Sequence, residues 1–136
     1  MSRPAGYSGT PLPRKLGITE STRVLLDGSP DGFVLAPLPP DVVLHRRAGR
    51  DPYDVIVTFS TELAHLARRW SALHARTTKP GALWVAWPKR AAKVPTDLDE
   101  NVVRDFGLAN GRVDVKVCAI DQTWSGLKFV IRLADR

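Results

Sequence analysis

Few side chains in this sequence are able to make or break bonds, and their spacing does not assemble them. Three histidines, His45, His65 and His74, and one cysteine, Cys118, are the candidates for a nucleophile, a general base or a metal ligand. None stands at paired spacing with another or with a carboxylate. His65 and His74 fall on one helical stretch, about half a turn off a shared face. A zinc site or a Cys-His pair is therefore not expected. Asp51 and Asp54 precede an apolar run and read as turn residues. No catalytic residue and no metal ligand is assigned, and Cys118, inside an apolar strand-like run, reads as a buried, inert thiol.

Binding asks for less than catalysis, and two stretches offer it. In "GALWVAWPKRAAKVPTDL" (residues 81–98) an apolar run ends in Trp87, passes a basic loop and reaches a helix-start signal at Thr96 and Asp97. Trp87 could stack a ring, Lys89 could pair a phosphate or carboxylate, and the helix start could present backbone N–H groups. In "DQTWSGLK" (residues 121–128) a tryptophan stands where a hairpin needs polar turn residues. Asp121, Trp124, Ser125 and Lys128 could face the same ligand. A third stretch, "YSGTPL" from Tyr7 to Leu12, could wrap a phosphate-like group with its backbone. The plainer reading places the tryptophans in or beside the core, the lysines in solvent and Thr96 as a cap.

The elements that must position these residues follow from hydrophobic period. "TRVLLD", "DVVLHR" and "PYDVIVTFS" read as strands, the last covered on both faces as in a parallel sheet. From Ser60 to Arg76 the period changes: Leu63, Leu66, Trp70 and Leu73 form one helical stripe, with His65, Arg68, Arg69 and Arg76 on other faces. "PGALWVAW" is a fourth strand. Thr96 followed by Asp99 fits a capping pattern for a second helix, with Leu98, Val102, Val103 and Phe106 on its apolar face and Gly107 as its stop. "VDVKVCAI" and "LKFVIRL" alternate and form a closing antiparallel hairpin. The expected fold is an α/β domain of minimal Rossmann type, its mostly parallel sheet ending in a C-terminal antiparallel hairpin.

Length and composition bound the rest. With 136 residues, 43% of them hydrophobic and 25% charged, the chain suits one globular domain over residues 23–136, after a partly packed tail over residues 1–22. No apolar run approaches the roughly 20 residues of a membrane span, and no signal peptide is visible, so a cytoplasmic protein is expected. The formal net charge of +6 permits nucleic-acid binding through His65, Arg68, Arg69, Arg76, Arg46, Arg47 and Arg50. Asp51, Asp54 and Glu62 interrupt that face, and no aromatic residues alternate with it, so a solvated surface is the preferred reading.

"YDVIVTF", a helix, "KPGALWVAWPK", another helix and a last hairpin resemble the second half of a class I S-adenosylmethionine-dependent methyltransferase domain. Over nearly the whole chain, "GYSGTPLPRKLGI", "LWVAWPK", "VPTDL", "VDVKVCAID" and "TWSGLKFV" are similar to an actinobacterial family of small proteins of unknown function. The methyltransferase resemblance implies a glycine-rich cofactor loop after the first strand. Here "LLDGSPDGF" offers Gly28 and Gly32 but no G-x-G spacing. The acidic residue that would hold ribose hydroxyls is replaced by "HRR" at residues 45–47, and a helix and a strand of the full domain are missing between Asp27 and Tyr53.

These readings lead to a non-catalytic ligand-binding or regulatory domain on a degenerate methyltransferase-like scaffold. It would take a small anionic ligand or a protein partner, with no cofactor expected. The alternative is a transferase using S-adenosylmethionine or a nucleotide, through Gly28 and Gly32. Nucleic-acid binding is a weaker third, and the free edge of the hairpin offers a route to a homodimer.

Overall fold

The computed structural model of the chain describes residues 9–136, so Tyr7 and Ser8 of the third candidate stretch lie outside the described residues. One six-stranded sheet is built from β1 (Arg23–Asp27), β2 (Val43–His45), β3 (Tyr53–Phe59), β4 (Thr77–Pro88), β5 (Val113–Ala119) and β6 (Trp124–Val130). Its spatial order is β2-β1-β3-β4-β6-β5. The first four strands are parallel, and the β5–β6 hairpin joins β4 antiparallel through β6. Helix α1 (Leu12–Lys15) precedes the sheet, α2 (Leu63–Arg76) links β3 to β4, and α3 (Glu100–Ala109) links β4 to β5. This is a mostly parallel, methyltransferase-like Rossmann sheet with the closing hairpin expected from hydrophobic period.

Both faces of the sheet are covered, which is why β3 is apolar nearly throughout. On one face Leu25, Ile56, Leu83, Val85 and Trp87 meet Leu66, Trp70 and Leu73 of α2 and Val103 of α3. On the other, Val24, Leu26, Val57 and Trp84 meet Leu16, Ile18 and Leu35. That second layer is made of irregular chain and α1 instead of long helices. Trp84 is fully buried there, and its indole Nε1 donates to the Leu16 carbonyl at 3.1 Å, so the one polar atom of the largest core side chain is satisfied by the segment that covers it.

Three local expectations are corrected by the structure. Thr96 does not cap α3; Asp99 does, its Oδ1 accepting from Val102 N at 2.8 Å. Gly107 does not end α3 but lies inside it, packed flat against Phe129, and the helix runs on to Ala109. The left-handed position after the helix is taken by Gly111, at φ +94°. Trp124 is not a turn residue but the first residue of β6. Asp121 Oδ1 closes the turn before it by accepting from both Thr123 N and Trp124 N at 2.8 Å.

Candidate functional site

Parallel strands direct their carboxyl ends to one edge of the sheet, and this edge has a natural crevice. From β1 the order runs to β2 on one side and to β3 on the other, so the connections diverge between β1 and β3. In open α/β sheets ligands bind at such a divergence. The chain leaves β1 through Gly28, whose φ of +70° suits a residue without a side chain. A Cβ there would sit 3.4 Å from the Phe59 carbonyl oxygen, so the loop passes close over the end of β3.

A depression of about 360 Å³ opens at this point, lined by Gly28, Ser60, Glu62, His65, Arg68 and Trp124 among others. Ser60, 3% exposed, directly follows β3 and shares a hydrogen bond of 3.0 Å with His65 Nδ1 in the first turn of α2. Arg68, one turn further along, is exposed and pairs with no carboxylate among the described residues. Trp124 reaches the depression from β6 and meets Phe59 edge-on at 5.2 Å; Phe33 meets the same ring at 5.1 Å. An adjoining hollow of about 530 Å³ is lined by the loop from Gly28 to Val34 and by Arg46. Gly32, at φ +79°, lines it with open space where a Cβ would be.

Next to the crevice, one residue before Gly28 and one before Phe59, lies a network that sequence spacing does not reveal. Asp27, the last residue of β1, accepts from Thr58 Oγ1 at 2.8 Å and takes the guanidinium of Arg69 in a two-pronged pair. Thr58 is fully buried on β3 and Arg69 lies on α2, so one carboxylate fastens the helix to two strands. The start of α2 is fixed from the other side. Asp97 Oδ1 accepts from Leu63 N at 2.8 Å, and Thr96 Oγ1 donates to the Thr61 carbonyl at 2.5 Å. These two residues therefore buttress α2, the helix that carries His65 and Arg68.

The eight residues marked for ligand binding in the sequence are not brought together. Lys89, Thr96, Asp97, Asp121 and Trp124 lie toward the carboxyl edge, and of these Trp124 lines the depression. Trp87 is 6% exposed among the residues facing α2 and α3, with Ser125 beside it in the ladder. Lys128 pairs in register with Trp84 and lies about 13 Å along the strand from Trp124. It lines a separate hollow of about 400 Å³ at the amino edge, with Gly17, Thr22, Thr78 and Gly81. The face read as solvated and basic is partly consumed by the fold. Arg69 binds Asp27, Arg76 Nη1 donates to the Gly49 carbonyl at 3.2 Å, and Arg46 donates to Ser29 Oγ and the Phe33 carbonyl, both at 2.9 Å.

The missed pair, Ser60 and His65, had one signal: a hydroxyl at the end of an apolar strand followed by a histidine in the first turn of the next helix. Five residues apart in sequence, they meet because the chain reverses between them. Among the described residues no group of three His, Cys, Asp or Glu side chains could hold a metal ion, and no helix is long and apolar enough to cross a membrane.

A six-stranded sheet in this order, with its crevice at the carboxyl edge, is the architecture of a methyltransferase-like Rossmann domain. No protein-family model matches the chain, and no curated protein matches it in sequence. Among solved structures it is similar to the fibrillarin pre-rRNA processing protein of Methanococcus jannaschii, with a TM-score of 0.53, 12% identity, and coverage of 81% of this chain and 66% of that one. It is also similar to TrmN from Thermus thermophilus, with a TM-score of 0.51, 13% identity, and coverage of 89% of this chain and 47% of that one. At these identities the likeness is one of fold, and the chain spans less than two thirds of either neighbour's length.

The fold family implies S-adenosylmethionine, held partly by an acidic residue ending the second strand. In this chain β2 ends at His45, whose Nδ1 is 2.5 Å from the buried Tyr53 hydroxyl. The following Arg46 spans the glycine-containing loop through its bonds to Ser29 and Phe33. A cationic side chain tied across the loop does not fit the place of a ribose-binding carboxylate. The irregular chain over residues 28–42 contains no helix to direct N–H groups at that hollow.

Proposed function

We propose that this chain is a non-catalytic ligand-binding or regulatory domain on a methyltransferase-like scaffold, and that its ligand is a small anion carrying a flat ring. The observation that carries this reading is the crevice itself. It lies at the divergence between β1 and β3, where Gly28 lets backbone approach, Ser60 and His65 supply hydrogen-bonding groups, Arg68 supplies charge and Trp124 supplies an aromatic edge. The geometry at the end of β2 favours a ligand other than S-adenosylmethionine, because Arg46 stands where a ribose would need an acceptor. A regulatory role implies a partner. The sheet ends in β5, whose Val115 and Val117 are 53% and 49% exposed, so this edge is the surface through which a protein or a second copy would bind. Nucleic acid is less favoured as a partner, since Arg46, Arg69 and Arg76 are already engaged within the fold. We place the protein in the cytoplasm.

Isothermal titration of the chain with AMP, S-adenosylmethionine and S-adenosylhomocysteine tests the reading. Saturable heat with AMP, weakened roughly tenfold in Arg68→Ala by loss of one charge-assisted contact, supports it. Saturable heat with S-adenosylmethionine, followed by formation of S-adenosylhomocysteine with an acceptor present, supports the transferase alternative instead. Absence of heat with all three compounds removes the crevice as a nucleotide-type site.

A further inference from the structure

The outermost strand of the sheet gathers cations on one face and gives them no anion. β5 has β6 as its only neighbour, so its other edge offers unpaired backbone donors and acceptors. In the β5–β6 ladder Lys116 stands directly opposite Lys128. Side chains so placed are about 5 Å apart at Cβ, and like charges there repel each other. A third cation joins them from α1. Lys15 Nζ reaches the Ala119 carbonyl at the end of β5, at 3.5 Å, and Lys116 Nζ donates to the Lys15 carbonyl at 3.3 Å. None of these three ammonium groups lies within ion-pair distance of a carboxylate among the described residues. Glu20 and Asp54 share the amino-edge hollow with Lys128, but Asp54 Oδ2 accepts from Arg23 N at 2.9 Å.

The opposite face of the same strand is apolar. Val117 pairs with Leu127, which packs toward α2 and α3, and is 49% exposed; Val115, the extra residue of a bulge between Asp114 and Lys116, is 53% exposed. The free edge from Val115 therefore alternates apolar and cationic side chains. One lysine on an edge strand serves to keep other strands away. That role does not account for Lys128, which lies on the inner strand β6, or for Lys15, which crosses from α1 to β5. A second copy of the chain is a poor occupant, because it brings no free acid to this face. The one carboxylate of β5, Asp114, accepts from Arg104 of α3 at 2.9 Å, and the bulge sets it on the face opposite Lys116.

We propose that the β5 edge takes an extended acidic segment of a partner protein, in which apolar and carboxylate side chains alternate. Backbone hydrogen bonds would add the segment to the sheet as a seventh strand. Its carboxylates would face Lys116 directly, with Lys15 and Lys128 within a Debye length behind it, while its apolar residues would meet Val115 and Val117. This rests on the reading of the β5 edge as the partner surface and adds the chemistry of the partner. It is independent of any ligand in the crevice.

The test is titration of the ¹⁵N-labelled full chain with three acetylated, amidated peptides: VEVEVE, VKVKVK, and VEPEVE, whose proline interrupts the strand and removes a backbone donor. VEVEVE is expected to give saturable amide shifts along Val115 to Ala119 and to outcompete both others. Lys116→Glu, at an exposed position, should weaken it roughly tenfold and Lys15→Glu about threefold. Lys93→Glu, which changes the net charge equally on a distant loop, should leave it unchanged. Equal binding of VEPEVE, or equal losses in all three variants, would show diffuse attraction without strand addition and overturn the proposal. Shifts on β5 with VKVKVK as strong as with VEVEVE would keep the edge as a partner surface but overturn the acidic partner. No saturable shift on β5 with any peptide removes the edge as well. Tighter binding of a dT12 oligonucleotide at Lys15 and Lys116, or a concentration-dependent dimer that protects β5, would assign the surface to nucleic acid or to a second copy and overturn the proposal equally.

Discussion

Replacing Gly107 by alanine sets a general rule of helix stability against a specific contact. Inside an exposed helix, glycine to alanine stabilises by about 1 kcal/mol, because alanine loses less backbone freedom on folding. Here the new Cβ would lie 2.1 Å from Phe129 Cε1, 2.5 Å from Cζ and 2.6 Å from Cδ1. Carbon atoms pack at about 3.5–4.0 Å, so the ring or the helix must shift by roughly 1.5 Å. Phe129 has nowhere to go: it is fully buried and meets Trp70 edge-on at 5.7 Å, while Trp70 meets Phe106 at 5.2 Å. Overpacking of this kind costs about 1–3 kcal/mol or more. Taking the upper end because both neighbours are confined, the net effect is a loss of about 2 kcal/mol. With a urea slope of about 1–3 kcal/mol per M, the midpoint should fall by roughly 1 M. Urea unfolding followed by tryptophan fluorescence measures it, and Gly107→Ala combined with Phe129→Leu should lose less than the two single changes added together. An unchanged or raised midpoint in the single variant would refute the close packing of α3 on β6.

Further expectations rest on particular contacts. Asp27→Ala strips Thr58, which is fully buried, of its acceptor and should cost about 2–3 kcal/mol, whereas Asp27→Asn retains an acceptor and should cost about 1 kcal/mol; the half-exposed Arg69 adds little to either figure. Equal losses in urea midpoints for the two variants would remove Thr58 from the account. His74 has its pKa lowered, first by burial and then by Arg112, from an ordinary 6.5. The unfolded chain therefore takes up a proton first, so stability falls as pH drops below about 6.5 and levels off once the folded His74 also protonates. Urea midpoints at several pH values should show this decline, and His74→Gln should flatten it. Burial also raises the Cys118 pKa, against smaller opposing effects of Lys15 and Lys116. The structure leaves Cys118 half-buried instead of sealed in the core, so its alkylation by iodoacetamide at neutral pH should be slower than that of free cysteine and should accelerate in urea; equal rates would contradict its partial burial.

The parts of this fold that were legible in the sequence are those decided by near neighbours. Leu66, Trp70 and Leu73 recur at helical spacing and form the buried stripe of α2, and the unbroken apolar run of β3 reflects cover on both faces. Alternation likewise marks β5 and most of β6. Errors arose where a local signal had two physical outlets. A hydroxyl or carboxylate before a helix can cap that helix or another one: Asp97, just before α3, caps α2 instead. A glycine near a helix end can stop the helix or admit a ring, and Gly107 admits Phe129 while Gly111 performs the stop.

The crevice was the least legible part, because its members are distant in sequence. Asp27 meets Arg69 across 42 positions, and Trp124 meets Phe59 from the far end of the chain. Neither partner carries a local mark of the other. Lys128 and Trp87 attracted notice by residue type, yet strand pairing sends Trp87 toward the helices and Lys128 toward the amino edge. Residue type can nominate a ligand contact, but only register assigns it a face.

The most direct test of the central claim is where a ligand perturbs the protein. In a ¹⁵N-labelled sample titrated with AMP, amide shifts concentrated at Gly28, Ser60, Thr61 and His65, with the Trp124 indole moving in step and saturating together, are the predicted result. Shifts confined to the amino edge around Gly17, Thr78 and Lys128, or no saturable shift at all, would contradict a ligand site between β1 and β3.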